Sequence, residues 1–240
     1  MKMITKKLVS IIIPAYNEEK NIAKVIRKCH KLKKDFQVEI IVVDGGSQDK
    51  TIQVAKKERA DKIIKFPYKR GKGADFWAGG IIANGAYIIQ IDSDYQFLPQ
   101  EIPLFVDKLE KETDVVIGTR FVNSKIEKGS ISTRNLFGNK FLSLLTSLAC
   151  GQKITDVMAG FKGFRKKAFL ALDIRERHFE YEAEIIVKAM KMGMRLEQIP
   201  VSYKKRIGGN SGIRVLNDGL KVIMAIIKVK LAKLPNYREL

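Results

Sequence analysis

The segment Tyr87-Ile88-Ile89-Gln90-Ile91-Asp92-Ser93-Asp94-Tyr95-Gln96 decides how the rest of the chain is read. An almost continuous apolar, β-branched run fits a strand covered on both faces, the kind found in parallel sheets. It stops on two carboxylates one residue apart. A strand ending in Asp-x-Asp can aim both at one divalent cation, and hard cations such as Mg²⁺ and Mn²⁺ take oxygen ligands and bridge them to substrate phosphates. Gln96 can add a neutral oxygen. Taken alone, the motif fits a solvated turn equally well.

Upstream, the same pattern recurs. Strands are expected at Leu8–Ile13, Val38–Val43 and Lys62–Lys65, with a further one at Val115–Ile117. Helices are expected at Glu19–Lys33, capped by Asn17, and at Asp49–Glu58, Ala74–Asn84 and Pro99–Lys111. Strands alternating with helices make a parallel sheet, and such sheets bind ligands outside the carboxyl ends of their strands. Three ends are therefore candidate rims: Pro14–Glu18, Asp44–Asp49 and Asp92–Gln96. Tyr16 offers an aromatic face to a base, Glu18 can accept from ribose hydroxyls, and Asp44 can accept an N–H from a nucleobase. Arg70-Gly71-Lys72-Gly73 reads as a basic loop suited to an anion. It lacks the spacing of a P-loop.

The second half is less regular. Ser130–Ala149 forms an amphipathic helix with Phe137, Phe141, Leu144, Leu145 and Leu148 on one face and Asn139, Lys140, Ser143, Thr146 and Ser147 on the other. Its apolar face is expected to pack on the sheet. A second stripe, Leu216, Leu220, Ile223, Ile227, Leu231 and Leu234, carries Lys221, Lys228, Lys230 and Lys233 and is expected at a membrane interface. Residues 1–210 then form the main domain and 211–240 a basic amphipathic helix. Glu180, Glu182 and Glu184 form an acidic cluster without an assigned role.

The chain has 240 residues and 45 Lys and Arg against 26 Asp and Glu, for a net charge of +19. That balance favours an anionic partner: nucleic acid, an anionic membrane or a phosphate-bearing substrate. No nucleic-acid motif accompanies the charge, so nucleic acid is not expected. Cys29 and Cys150 form no metal or disulfide pattern. The first eight residues are too short and charged for a signal peptide, and no apolar run reaches the roughly 20 residues of a spanning helix. A cytoplasmic protein, peripherally held at the inner face of a membrane, is expected.

In this order the motifs resemble family 2 glycosyltransferases of the GT-A fold, and among them the dolichol-phosphate mannose and glucose synthases. The likeness runs from about Val9 to Arg214. It rests on Pro14–Glu18, Asp44–Thr51, Arg70–Gly73, Asp92–Gln96, Val116–Arg120, Asp156–Phe161, Glu197–Val201 and Arg206–Ser211. Gly45 stands where many members have a second Asp, which leaves GDP versus UDP open, and Gly212 stands where a Lys is usual. The resemblance implies a Rossmann-like, mostly parallel sheet flanked by helices, a Mg²⁺ or Mn²⁺ ion, a nucleotide-sugar donor and an inverting transfer to a lipid phosphate. A membrane-anchored partner subunit is compatible with it. Carried over, Pro14, Tyr16, Glu18, Asp44, Lys72 and Asp92 bind the nucleotide, and Asp92, Asp94 and Gln96 hold the metal. Asp94, Arg120, Arg134 and Arg206 serve catalysis, while Arg134, Arg206, Ser211 and Arg214 gather the acceptor phosphate. A transfer to a sugar hydroxyl is the rival within the class; Asp94 would then act as base.

Overall fold

The computed structural model describes residues 7–208 and 215–240. Its elements are β1 (Leu8–Ala15), α1 (Ile22–His30), β2 (Gln37–Asp44), α2 (Thr51–Lys57), β3 (Lys62–Lys65), α3 (Lys72–Ile81), β4 (Tyr87–Gln90), α4 (Ile102–Glu110), β5 (Val115–Thr119), α5 (Thr133–Cys150), β6 (Lys162–Arg165), α6 (Lys166–Leu172), α7 (Tyr181–Lys191), β7 (Leu196–Pro200) and α8 (Val215–Leu231). The seven strands form one sheet in the order β3-β2-β1-β4-β6-β5-β7. All run the same way except β6, which is antiparallel to β4 and β5. This is the mostly parallel α/β sheet expected, with helices on its faces. Its central strands are buried along nearly their whole length, which is why they read as continuous apolar runs.

β6 and β7 do not show that signature. Lys162-Gly163-Phe164-Arg165 places a charged side chain at full burial in the middle of the sheet. Leu196–Pro200 is an edge strand, half-exposed and ending in Pro, as edge strands allow. Asn17 is not a helix cap. It has φ 55°, and its Oδ1 accepts from the Gln48 N–H at 2.8 Å. α1 starts later, at Ile22.

The largest departure concerns α5, whose face is turned over. Asn139, Ser143 and Thr146 are buried, while Phe137, Phe141, Leu144 and Leu148 are 68, 54, 57 and 71% exposed. The cause is the segment 154–158 beneath it, whose backbone donors need partners. Ser147 Oγ accepts from Ile154 N–H at 2.8 Å, Ser143 Oγ from Val157 N–H at 3.0 Å, and Asn139 Oδ1 from Met158 N–H at 3.1 Å. Hydrogen bonding, not apolar burial, sets the rotation of this helix. α8 packs on α5 and α7 through Val222, Ala225, Ile226 and Val229.

Candidate active site

The three acidic strand ends converge. β1 lies between β2 and β4, with Ala15 level with Asp44 and Ile12 with Gln90. Beyond the sheet, the first two loops are stitched together. Ser47 Oγ accepts from Asn17 N–H and Thr51 Oγ1 from Glu18 N–H, both at 2.8 Å. Pro14 is buried within β1, and Tyr16 is 39% exposed with Lys69 Nζ 4.3 Å above its ring.

Asp44 is fully buried. Its Oδ2 accepts from Gly46 and Ser47 N–H at 3.2 and 3.0 Å, while its Oδ1 has no partner among the described residues. A buried carboxylate oxygen left unpaired is costly unless a ligand donor meets it. Beside it stands Asp75, a residue that sequence reasoning passed over. Its carboxyl is pushed up to about 6 by burial, with Asp44 adding to the effect against Arg70. A Cβ on Gly45 would lie 2.6 Å from Asp75 Oδ2. Asp75 thus fills the space that a second Asp at position 45 would need.

At the tip of β4, Asp92 and Asp94 are each matched by an internal cation. Lys72 Nζ lies 2.7 Å from Asp92 Oδ1 and 3.2 Å from Glu182 Oε1. Burial works against the lysine's charge, but Asp92 and Glu182 outweigh it and hold its pKa above the ordinary lysine value. Arg206 joins Glu18 and also approaches Asp94 Oδ2 at 3.6 Å. Asp94 is pushed up to about 6 by burial and by repulsion from Asp92, against the pull of Arg206. Gly160 permits this arrangement, since a Cβ there would sit 2.3 Å from Asp92 Oδ2. Lys72 opens α3 rather than sitting in a loop. The preceding Gly71 has φ 106° and passes so close to Arg177 O that a Cβ would be 2.3 Å away.

Glu182 is the hub behind the site. It is 1% exposed and pairs with Lys162, itself fully buried. Lys162 also donates to Ala159 O. Of the acidic cluster, Glu184 accepts from Arg175 and Glu176 N–H and pairs with Lys188 at 2.7 Å, a structural role. In the sequence Glu182 stood out only as a member of that cluster and Lys162 not at all, because only the tertiary contacts among Lys72, Glu182 and Lys162 give them meaning.

Several expected residues are placed differently. Gln96 does not turn its amide to the carboxylates: its Oε1 accepts from Tyr203 O–H at 2.9 Å, and its Nε2 donates to Lys204 O at 3.0 Å. Arg120 is held in a bidentate pair by Asp156, Nε to Oδ2 at 2.7 Å and Nη2 to Oδ1 at 2.8 Å. Its charge is therefore already matched. Glu18 uses both oxygens, one with Asn21 Nδ2 at 2.8 Å and one with Arg206. Arg134 stands exposed in the first turn of α5. Ser211 and Arg214 lie outside the described residues.

A cavity of about 420 Å³ begins at Gln96, Arg120 and Tyr203 and runs between α5 and α8 to Phe141 and Leu220. It is walled mainly by apolar groups, and its size is that of a ligand pocket.

Residues 10–172 match the model of the family described as "Glycosyl transferase family 2". The chain is 28% identical to the UDP-N-acetylglucosamine–dolichyl-phosphate N-acetylglucosaminyltransferase of Methanococcus voltae, over 95% of this chain and 98% of that one. It is also 28% identical to a dolichyl-phosphate beta-glucosyltransferase of Trichomonas vaginalis, over 92 and 72%. Among solved structures, a glucosyl-3-phosphoglycerate synthase of Mycobacterium tuberculosis, in complex with Mn²⁺, UDP and phosphoglyceric acid, superposes with a TM-score of 0.75. It is 21% identical and the match covers 95% of this chain and 80% of that one, a likeness of fold.

Proposed function

Since the chain belongs to glycosyl transferase family 2, we propose that this glycosyltransferase moves a hexose from a nucleotide-sugar to the phosphate of a polyprenyl lipid, with inversion at the anomeric carbon. The observation that carries the reading is the apolar cavity beside the acidic strand tip. A long hydrocarbon behind a phosphate can lie between Phe141, Leu142 and Ile223 while its head reaches Gln96 and Arg120. The dolichyl-phosphate acceptors named for two relatives support the same class.

The donor side follows from unsatisfied chemistry. Asp44 Oδ1 is positioned to accept a base N–H, and Tyr16 to cover the base. Asp92 and Asp94 would be the donor set for Mg²⁺ or Mn²⁺: hard carboxylate oxygens, of which Asp94 is raised by burial and then by repulsion from Asp92, a cost that a cation relieves. When bound, the cation neutralises the charge of the leaving diphosphate. Lys72 and Arg206, now paired with these carboxylates, are within reach to turn toward the donor phosphates. Breaking the anomeric C–O bond leaves its electron pair on the diphosphate, and electrostatic matching there is the main catalytic contribution. The acceptor phosphate is already anionic near neutral pH, with a second pKa of about 6 by analogy with phosphorylated side chains. It needs positioning rather than a base. Arg134 and the segment holding Ser211 and Arg214 are assigned to it. The reaction belongs at the cytoplasmic surface of an anionic membrane, with or without an anchoring subunit.

The test is a panel of GDP- and UDP-sugars with Mg²⁺ or Mn²⁺ and a short, water-soluble prenyl phosphate. A charged glycolipid is expected. Transfer to soluble saccharides with no glycolipid would overturn the acceptor assignment.

A further inference from the structure

Two carboxylates meet under the rim where the donor base is placed. Asp44 ends β2, and Asp75 stands in the first turn of α3, which packs against β1 and β2. Asp44 is fully buried and Asp75 is 4% exposed. Each keeps one oxygen, Oδ1, without a partner among the described residues. Gly45 sets their closeness: Asp75 Oδ2 comes within 2.6 Å of where a Cβ at position 45 would stand. Two buried acceptors left unmet cost the fold free energy, which bound donors recover.

The hydrogen bonds already made decide what each carboxylate has left. Asp44 Oδ2 accepts from Gly46 and Ser47 N–H, which leaves Asp44 a single oxygen for a ligand. Asp75 supplies the second. Burial pushes its carboxyl up to about 6, with Arg70 opposing and Asp44 adding to the rise. It is therefore anionic above neutrality, and an ionised carboxylate accepts hydrogen bonds but donates none. Tyr16 stands at the same rim with Lys69 Nζ 4.3 Å from its ring, a cation that a stacked base would displace. The complementary ligand edge presents two neighbouring N–H donors. Guanine does so, through N1–H and its N2 amino group. Uracil offers one N–H between two carbonyl oxygens, so a second carboxylate would face an acceptor and repel it. Adenine and cytosine place an unprotonated ring nitrogen beside their amino group, with the same consequence.

We infer that Asp75 is a specificity-determining residue that, paired with Asp44, selects guanine over uracil in the donor nucleotide. The inference rests on the nucleotide-sugar reading above and narrows it to a guanosine diphosphate sugar. It also gives Gly45 a meaning. The second acidic side chain comes from α3 instead of from the loop after β2, and position 45 then has to stay bare.

The experiment is calorimetry of the full chain with Mn²⁺ and GDP, UDP or inosine diphosphate, whose base keeps N1–H but lacks the amino group. Wild type is expected to bind GDP at least about tenfold tighter than either of the others, the loss that follows when a buried charged acceptor goes unmet. Asp75→Asn, nearly isosteric, should bring the GDP-to-UDP ratio near one. Its melting temperature without nucleotide should not fall, because the substitution removes a charge that burial disfavours. Wild type that binds UDP or inosine diphosphate as tightly as GDP overturns the guanine assignment and leaves the nucleotide-sugar reading in place. An unchanged ratio in Asp75→Asn removes Asp75 from base selection. Binding of neither GDP nor UDP overturns the donor reading itself, and the guanine assignment with it.

Discussion

Replacing Lys162 by Met tests the charge arrangement behind the site. The lysine is fully buried and pairs with Glu182, which is 1% exposed. Deleting one partner of a buried ion pair costs about 3–5 kcal/mol, and Lys72, which stays 3.2 Å from Glu182 Oε1, holds the loss toward the lower value. Met matches the lysine stem in volume, so little of that loss is cavity. In a chain of this size about 2–4 °C accompanies each kcal/mol, so Lys162→Met is expected to lower Tm by roughly 6–20 °C. The second arm is Lys162→Met with Glu182→Gln, which removes both charges and should recover a large part of the loss. Urea denaturation and thermal melts read both, with two probes to confirm a single transition. Acidification gives an independent sign. Burial pushes the Glu182 carboxyl up, but Lys162 and Lys72 outweigh it and hold it below the ordinary value. A depressed carboxylate contributes stability above its unfolded pKa of about 4.3 and loses it as pH falls toward the folded value. Wild type should therefore shed more stability than the double variant in that range. A single variant within about 1 kcal/mol of wild type, or a double variant no better than the single, refutes the reasoning.

Asp94→Ala is expected to keep the fold and lower transfer by roughly a thousandfold; a melt and a turnover assay check it, and retained turnover counts heavily against the metal site. Mn²⁺ affinity, measured by equilibrium dialysis, should be flat above neutrality. It should fall by about tenfold per pH unit below about 6, as Asp94, pushed up to about 6, takes a proton. An affinity that does not change there removes Asp94 from the ligand set. Gly45→Asp should lower Tm and weaken nucleotide binding, because its Cβ would meet Asp75 Oδ2 at 2.6 Å. Adding Asp75→Gly should restore both, and calorimetry with GDP and UDP reads the binding.

The half of the fold that carries the donor loops was legible because its strands are covered on both faces, so burial wrote continuous apolar runs from Leu8 to Ile91. β6 was not, since a buried lysine and a glycine erase that pattern and only the pairing with β4 and β5 defines it. The acidic strand tip was legible for the same reason as its strand. What surrounds it was not: Asp75, Glu182 and Lys162 come from distant positions, and no spacing rule links Lys72 to Glu182. Helical periodicity located the apolar stripe of α5 but not its direction. A wheel reports that two faces differ, and the assumption that the apolar one turns inward failed here because the backbone N–H groups of 154–158 needed hydrogen-bond acceptors more than they needed leucines. The partner of Arg120 was likewise hidden in the sequence. An arginine after a strand can meet a phosphate or a carboxylate, and Asp156, thirty-six positions away, had already taken it.

The placement of charge makes one argument about how the enzyme can hold an acidic site before any donor arrives. Glu18, Asp92 and Asp94 lie close enough to perturb one another, Glu182 shares Lys72 with Asp92, and carboxylates gathered in a partly buried pocket repel. Lys72 and Arg206 each bridge two of them. The donor brings opposite needs: a diphosphate that calls for cations and a metal that calls for carboxylates. On the proposed reading Asp92 and Asp94 would hold the cation, and Lys72 and Arg206, released from them, would turn to the phosphates, an exchange that keeps the charges matched. On that account Arg206→Lys, which keeps the charge but cannot span Glu18 and Asp94 with one fork, should weaken nucleotide-sugar binding more with the metal absent than with it present. Equal loss in both conditions, read by calorimetry, would show that Arg206 serves the phosphates alone and that the exchange does not occur.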